Sequence, residues 1–308
     1  MARFCDSVLQ PLPSRMAADV AAAETATKAI SHNNSIGDIL SKSRKLTPAR
    51  VDRILTHQQK EGIRFGQAAV ALGYATEQDV LSALAQQFNY PIATEAQRKL
   101  TPELVALNEP FSRQAEVFRG IRSQLLMNVF GEHANPRRAL AIVSPSAGDG
   151  KTFFAANLAV TLAQLAGRTL LVDADMRAPR LHRVFNLPTD AGLSSILSGR
   201  TESRVVKQAG MPGLFVLPVG VVPPNPLELV ERPTFGLLIH ELLSKFDHVV
   251  VDTSAAEYGA DCSVVAARCG AALVVARKNA SRVSLLKDLS EALSRSPGTM
   301  SSVVMNEY

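Results

Sequence analysis

The sequence predicts a doubly wound α/β domain with a mostly parallel P-loop sheet, preceded by a small helical domain. From residue 138 onward, short continuous apolar runs alternate with helical patterns, as is typical of strands that helices bury on both faces. A glycine-rich turn ending in Gly-Lys-Thr directly follows the first of these runs. Nearer the N-terminus, a helical pattern repeats in tandem.

Length and composition narrow the function classes. The 308 residues have room for two modest domains, and the net charge of +5 suits anionic ligands such as nucleotides. This charge is too small and too scattered to predict nucleic-acid binding. The 3 cysteines have no metal-binding spacing, which fits a reducing cytosol. No apolar run approaches the ~20 residues of a membrane span, so we expect a cytoplasmic protein.

We expect three segments along the chain. Residues 1–33 show weak periodicity and are predicted to be a flexible tail. Residues 34–95 form the helical module, in which the motif of residues 35–37 recurs 29 positions later. Each copy predicts a short helix, a turn and a second helix. Residues 96–308 form the α/β domain, which we expect to open with a helix over 112–129.

The strands of the large domain are predicted from continuous apolar runs, and its helices from periodic patterns between them. The predicted strands cover residues 140–144, 169–173, 214–218, 248–252, 272–277 and 302–305. The predicted helices cover a short segment near 101–107 and the longer stretches 152–165, 233–245 and 282–294.

The turn at residues 144–152 reads Ser-Pro-Ser-Ala-Gly-Asp-Gly-Lys-Thr, which predicts a phosphate-binding loop. Glycines let backbone N–H groups face a phosphate chain, while the lysine reaches the β- and γ-phosphates and the threonine hydroxyl can hold Mg²⁺. Pro145 stands where the first glycine is usual, so an ordinary glycine-rich turn is the alternative. The candidate ATP-binding residues here are Gly148, Asp149, Gly150, Lys151 and Thr152.

Carboxylates end two later strands. Asp173 and Asp175 point the same way at the end of the second strand, where one can hold Mg²⁺ and the other can accept a hydroxyl proton. Arg177 adds a cation, and a solvated strand end is the alternative. Asp252 ends an apolar run like a Walker-B strand, and its alternative is the start of an ordinary turn.

Together these motifs resemble those of the bacterial protein tyrosine kinases that control polysaccharide chain length, over roughly residues 108–306. The helix with Glu116, Arg119 and Arg122 matches the Glu-x-x-Arg-x-x-Arg motif through which that family forms rings. Spacing alone would equally fit a charged helix face with i, i+3 pairs.

The resemblance implies a role for each site residue. Lys151 would bind phosphates, with Arg177 beside it in the catalytic set, and Asp173 would accept the tyrosine proton. Mg²⁺ would be held by Thr152, Asp175 and Asp252. Arg277 and Lys278 would contact the adenine. The family often ends in a tyrosine cluster, whereas here only Tyr308 stands at the end, as the candidate phosphoacceptor.

The second copy of the N-terminal repeat resembles the Arg-Leu-Gly…Gln motif in the N-terminal domain of type II secretion and pilus ATPases. Some of those domains bind cyclic di-GMP, which would here involve Arg64, Phe65, Gly66 and Gln87. The first copy has Ser35 in place of the arginine. The alternative is a helical docking module without a ligand.

We therefore expect an autophosphorylating, ATP- and Mg²⁺-dependent protein tyrosine kinase that regulates exopolysaccharide polymerisation, export and chain length. The family implies a transmembrane polysaccharide co-polymerase as partner at the inner face of the plasma membrane, a homo-oligomeric ring, and tyrosine-containing substrates. One alternative is a ParA/MinD-like ATPase switch, which would usually carry a lysine in place of Ser146. The other is a kinase-inactive, nucleotide-sensing scaffold.

Overall fold

The computed structural model describes residues 35–88, 101–131, 136–165, 167–200, 206–207, 211, 213–295 and 300–307. The chain divides into two compact units, Met1–Tyr90 and Pro91–Tyr308. The predicted tail over residues 1–33 and the candidate acceptor Tyr308 lie outside the described residues. Among the helices described, none is long and apolar enough to cross a lipid bilayer.

The first unit is helical, and each repeat supplies one pair of helices. The helices are α1 (Ile36–Ser43), α2 (Pro48–Glu61), α3 (Phe65–Ala71) and α4 (Glu77–Gln87). Ser35 caps the start of α1, and Thr76 caps the start of α4. In each case the hydroxyl accepts a hydrogen bond from the backbone N–H three residues later. The unit packs around a small core that includes Leu40, Ile54 and Ala68.

Packing and pairing account for two residues of the repeat. Gly66 lets α3 pack closely on α4, since a Cβ at this position would lie 2.6 Å from Cγ1 of Val80. Arg44, which stands where the second copy has Gly73, forms an ion pair with Asp79 at 2.5 Å. Both partners are partly exposed, so the pair contributes little to stability.

In its described residues, the second unit contains one sheet of seven strands in the order β3-β4-β2-β5-β1-β6-β7. Of these seven, only β3 runs antiparallel to its neighbour. The strands are β1 (Ala139–Val143), β2 (Thr169–Asp173), β3 (Val206–Lys207), β4 (Leu214–Leu217), β5 (His248–Asp252), β6 (Gly270–Arg277) and β7 (Met300–Asn306).

Helices cover both faces of this sheet. They are α5 (Val105–Asn108), α6 (Arg113–Asn128), α7 (Lys151–Ala163), α8 (Leu181–Val184), α9 (Leu193–Leu197), α10 (Pro226–Glu231), α11 (Pro233–Lys245), α12 (Asp261–Cys269) and α13 (Val283–Ser294), with a 3₁₀ turn at Ala256–Tyr258. Alternate residues of β1 enter the two cores. Leu140 and Ile142 pack with α6 and α7, whereas Ala141 and Val143 pack with α11 and α12.

The predicted fold class is confirmed, and the predicted strands lie within two or so residues of the observed ones. The segment near 101–107 forms a helix only over Val105–Asn108, because Thr101 donates its hydroxyl to the carbonyl of Val184 instead of capping a longer helix. The short elements β3, α8, α9 and α10 were not predicted, since a few residues carry too little periodicity. The nine-residue helix α12 was also missed.

We expect Gly192→Ala to destabilise the second unit, because a Cβ there would lie 2.2 Å from the Pro218 carbonyl oxygen and 2.4 Å from the Gly220 nitrogen. Backbone atoms cannot move aside cheaply, so the free energy of unfolding should fall by about 2–4 kcal/mol. The matched control is Gly199→Ala, where a Cβ meets nothing within 4 Å and only the left-handed φ of +69° is penalised, by about 1 kcal/mol. Calorimetric melting that ranks the two variants equally would contradict the packing argument.

Candidate active site

The strand register brings the candidate carboxylates to one edge of the sheet. β5 lies between β1 and β2, and Asp252 at its end pairs with Asp173 of β2 and with Ile142 of β1. The loop after β1 and the segment after β2 therefore leave the sheet on either side of Asp252. This is the edge at which open parallel sheets bind their ligands.

The loop after β1 has the backbone of a phosphate-binding loop. Gly148 and Gly150 adopt φ values of +81° and +99°, which glycine adopts without strain. Lys151 and Thr152 begin α7 and are buried, and Lys151 Nζ donates to the hydroxyl of Ser144 at 3.0 Å. A helix N-terminus that follows such a loop presents N–H groups to an anion.

Asp149 fastens this loop to two later strand ends. Its carboxylate accepts the backbone N–H of Ser146 at 2.9 Å and the hydroxyl of Ser281 at 2.8 Å. Its carbonyl accepts the side-chain amide of Asn306 at 3.0 Å. The side chain of Asp149 thus fixes the shape of the loop.

Glu257 holds the first half of the same loop, where its carboxylate accepts the backbone N–H of Ala147 at 2.6 Å. Sequence reasoning did not single out Glu257, Ser281 or Asn306, because no local motif marks them. Each lies at or shortly after the end of a predicted strand, and that position is the signal that could have found them.

Asp173 is fully buried, and backbone N–H groups orient both of its oxygens. It accepts from Asp175 at 3.2 Å and from Leu181 at 3.1 Å. Burial raises the pKa of Asp173 well above its usual value, and the nearby carboxylates of Asp252 and Asp175 raise it further. The group is therefore a stronger base than an exposed aspartate.

Asp175 and Arg177 shape the segment that follows β2. Oδ1 of Asp175 accepts the backbone N–H groups of Arg177 at 3.2 Å and Ala178 at 3.0 Å. The guanidinium of Arg177 pairs with the nearly buried carboxylate of Asp261, at 2.9 Å between Nη2 and Oδ2. Arg177 thus binds the start of α12.

Asp252 is fully buried, and in the part of the chain that the structure describes neither of its carboxylate oxygens has a hydrogen-bond partner. Burial raises its pKa to about 7, against the lowering influence of Thr152 and Lys151. Buried carboxylate oxygens without a donor fit a bound cation.

The residues present fit Mg²⁺, because Thr152, Asp175 and Asp252 all offer hard oxygen atoms. The described residues contain no cluster of three or more His, Cys, Asp or Glu side chains that could hold a metal by themselves.

The candidate adenine residues lie at the neighbouring strand ends. Arg277 ends β6, where its backbone N–H donates to Ser281 and its Cα pairs with Asn306 of β7. Lys278 pairs with the carboxylate of Glu307 at 3.0 Å.

The candidate oligomerisation motif contacts its own chain. Arg119 donates to Glu116 at 2.8 Å and to the carbonyl of Pro110 at 2.7 Å, and Arg122 donates to the carbonyl of Thr161 at 2.8 Å. The carboxylate of Glu116 remains exposed. Within one chain, the contacts of Arg119 tie the segment before α6 to that helix, and the contact of Arg122 joins the middle of α6 to α7.

In the first unit, packing accounts for part of the candidate cyclic di-GMP motif. Gly66 is buried and Phe65 packs against the core of the unit. Arg64 and Gln87 are exposed.

Residues 140–306 match the family model of the CobQ/CobB/MinD/ParA nucleotide binding domain. CapB of Staphylococcus aureus, which bears a tyrosine-protein kinase name, is 35% identical over 204 residues, which are 65% of this chain and 87% of CapB. The tyrosine-protein kinase wzc of Salmonella typhi is 34% identical over 194 residues, which are 63% of this chain but only 26% of wzc.

A solved structure extends the likeness to three dimensions. The kinase domain of the Escherichia coli tyrosine kinase ETK is 29% identical and superposes with a TM-score of 0.59. The match covers 67% of this chain and 81% of that domain. The second unit thus shares its nucleotide-binding fold with a tyrosine kinase domain.

We expect Asp252→Asn to stabilise the nucleotide-free protein at pH 8. An ordinary aspartate pKa of 3.8 in the unfolded chain and a pKa of about 7 in the folded one mean that the folded protein binds an extra proton between these values. The free energy of unfolding of the wild-type protein therefore falls as the pH rises from about 4 towards 7, because Asp252 acquires a buried charge. The neutral amide of the variant avoids that cost. The gain at pH 8 should be about 1–3 kcal/mol, measured by thermal melting at pH 5 and pH 8.

The exposed Asp288→Asn on α13 is the matched control and should leave both melting temperatures unchanged. An Asp252→Asn protein that loses stability equally at the two pH values would contradict the assignment of the shifted pKa.

Proposed function

Since the chain belongs to the family of bacterial tyrosine-protein kinases built on the CobQ/CobB/MinD/ParA nucleotide-binding domain, we propose that it transfers the γ-phosphoryl group of ATP to protein tyrosines, including its own. The observation that carries this proposal is the pairing of Asp173 with Asp252 beside the start of α7. Phosphoryl transfer requires positioning and charge neutralisation at one place, and this edge of the sheet offers both.

The phosphate loop and Lys151 bind the triphosphate. Lys151 leaves Ser144 and turns to the β- and γ-phosphates, while the N-terminus of α7 supplies backbone donors. Thr152, Asp175 and Asp252 would hold Mg²⁺, which would neutralise charge on the phosphates. Arg277 and Lys278 flank the adenine from the ends of β6 and β7.

Asp173 accepts the proton of the incoming tyrosine hydroxyl. Its raised pKa brings it closer to that of a phenol, which favours proton transfer. The N–H groups of Asp175 and Leu181 hold the carboxylate in one orientation. Arg177 acts through its ion pair with Asp261, which fixes the segment that carries Asp175.

The biological setting follows from the family resemblance. We propose that the kinase regulates exopolysaccharide polymerisation, export and chain length together with a transmembrane chain-length partner at the cytoplasmic face of the membrane. Ring formation would use the exposed carboxylate of Glu116, with Arg119 and Arg122 exchanging their contacts within the chain for contacts with a neighbour. Tyr308 would then be offered to the neighbouring site.

Lys151→Met should abolish transfer of label from γ-labelled ATP to tyrosine, because the β- and γ-phosphates lose their cation. The matched control is Lys287→Met, which removes an exposed lysine from α13 and should keep the wild-type rate. Phosphotyrosine is measured on the protein and on an added tyrosine-containing acceptor, with and without the cytoplasmic segment of the membrane partner.

Two results would redirect this proposal. ATP hydrolysis without phosphotyrosine would favour the ParA/MinD-like switch, although Ser146 stands where that class usually has a lysine. Nucleotide binding with neither hydrolysis nor transfer would indicate the kinase-inactive scaffold.

We also propose that the helical module binds cyclic di-GMP as an effector. Support comes from the exposure of Arg64 beside the packed Phe65 and Gly66, which leaves its guanidinium able to stack on a guanine base. Gln87 is exposed at the end of α4.

Arg64→Ala in the full chain should weaken cyclic di-GMP binding at least tenfold in calorimetric titration, since stacking on a planar cation would be lost. Lys60→Ala on the same module removes an equal charge and should leave the affinity unchanged. Wild-type protein without affinity at micromolar ligand would remove the effector hypothesis and leave a docking module.

A further inference from the structure

The 3₁₀ turn at Ala256–Tyr258 is attached to the first half of the phosphate loop. The backbone N–H of Ala256 donates to the carbonyl of Ser144 at 2.9 Å, and that of Glu257 donates to the carbonyl of Pro145 at 3.1 Å. The carboxylate of Glu257 in turn accepts the N–H of Ala147 at 2.6 Å. The turn therefore has a fixed position against the loop that would hold the triphosphate.

The residue after the turn, Gly259, lies near the ion pair between Arg177 and Asp261. A Cβ at Gly259 would lie 3.1 Å from Oδ2 of Asp261 and 3.5 Å from Nη2 of Arg177. Arg177 stands two residues beyond Asp175. Tyr258 thus lies between Glu257, which is bonded to the phosphate loop, and Gly259, which lies near Arg177.

The side chain of Tyr258 is available at this position. It is 47% exposed, although its backbone N–H is anchored to the carbonyl of Ala255 at 3.1 Å. Its α-carbon is about 3.8 Å from that of Glu257. The tyrosine therefore directly follows the residue whose carboxylate bonds the phosphate loop.

The chain contains 4 tyrosines, and the structure describes two of them. Tyr74 belongs to the first unit, where Arg53 donates to its hydroxyl at 3.5 Å and the guanidinium of Arg50 lies 5.4 Å from its ring centroid. Tyr90 and Tyr308 lie outside the described residues. Tyr258 is the described tyrosine of the second unit, and it belongs to the turn that is attached to the phosphate loop.

We propose that Tyr258 is an internal phosphoacceptor, modified by the site on whose rim it stands. This inference rests on the proposed kinase function and names a substrate residue for it. The phenol oxygen forms a bond to the γ-phosphorus of ATP, and the bond from that phosphorus to the β–γ bridging oxygen breaks. Its electron pair leaves on ADP, and the phenol proton passes to a carboxylate of the site.

The test uses the full chain with Mg²⁺ and γ-labelled ATP, followed by tandem mass spectrometry of proteolytic peptides. We expect phosphate on Tyr258, at an initial rate per molecule that does not depend on protein concentration, because acceptor and site belong to one chain. Tyr258→Phe should lower incorporation severalfold, and the control Tyr74→Phe should leave it at the wild-type level. Both variants should label an added glutamate–tyrosine copolymer at the wild-type rate, which shows that the site is intact.

The failures of the two proposals are distinguishable. Labelling of the copolymer and of other tyrosines, with Tyr258 unmodified, would overturn the present inference and leave the kinase function standing. A protein that binds ATP but labels neither the copolymer nor itself would overturn both. A Tyr258→Phe variant that also fails on the copolymer would make Tyr258 a positioning residue instead of an acceptor, and would equally overturn the inference.

Discussion

The burial of carboxylates at one edge of the sheet is the constraint on which the second unit depends. Asp173, Asp175 and Asp252 are all nearly or fully buried, and like charges in a poorly solvated place repel one another. The surrounding structure offsets part of this cost, since backbone N–H groups bond Asp173 and Asp175 while Lys151 faces Asp252. The remaining cost falls on the protein without a cation. If these residues hold Mg²⁺ as we propose, affinity for Mg²⁺ and stability of the empty protein are opposing properties of the same residues.

Sequence reasoning could reach the sheet and the positions of its acidic residues, because both follow from local patterns. A continuous apolar run predicts a strand buried on both faces, and a polar residue at its end must emerge at the ligand-binding edge. The phosphate loop was likewise predictable from its glycines, because Gly148 and Gly150 adopt the positive φ values that glycine tolerates best. The motif of the helical unit does not by itself distinguish a ligand site from packing, since Phe65 and Gly66 also serve the packing of that unit.

The contacts that fasten the site could not be predicted, because they join residues far apart in the chain. Ser281 reaches Asp149 across 132 positions, and Glu257 reaches Ala147 across 110. No periodicity or spacing records such a pair. The same holds for Arg122, which donates to a backbone carbonyl of α7. Every residue has such a carbonyl, so the sequence does not reveal the partner. A motif such as Glu-x-x-Arg-x-x-Arg therefore predicts a helix, but it does not predict which groups of its own chain the arginines contact.

The hydrogen bond from the side chain of Asn306 to the carbonyl of Asp149 connects the edge strand β7 directly to the phosphate loop. Among the described strands, β7 pairs with β6 alone, along seven residues. A molecule that tilts or extends this strand would displace the backbone of Asp149 directly. A change in the position of β7 would therefore also change the shape of the loop that we propose binds the phosphates.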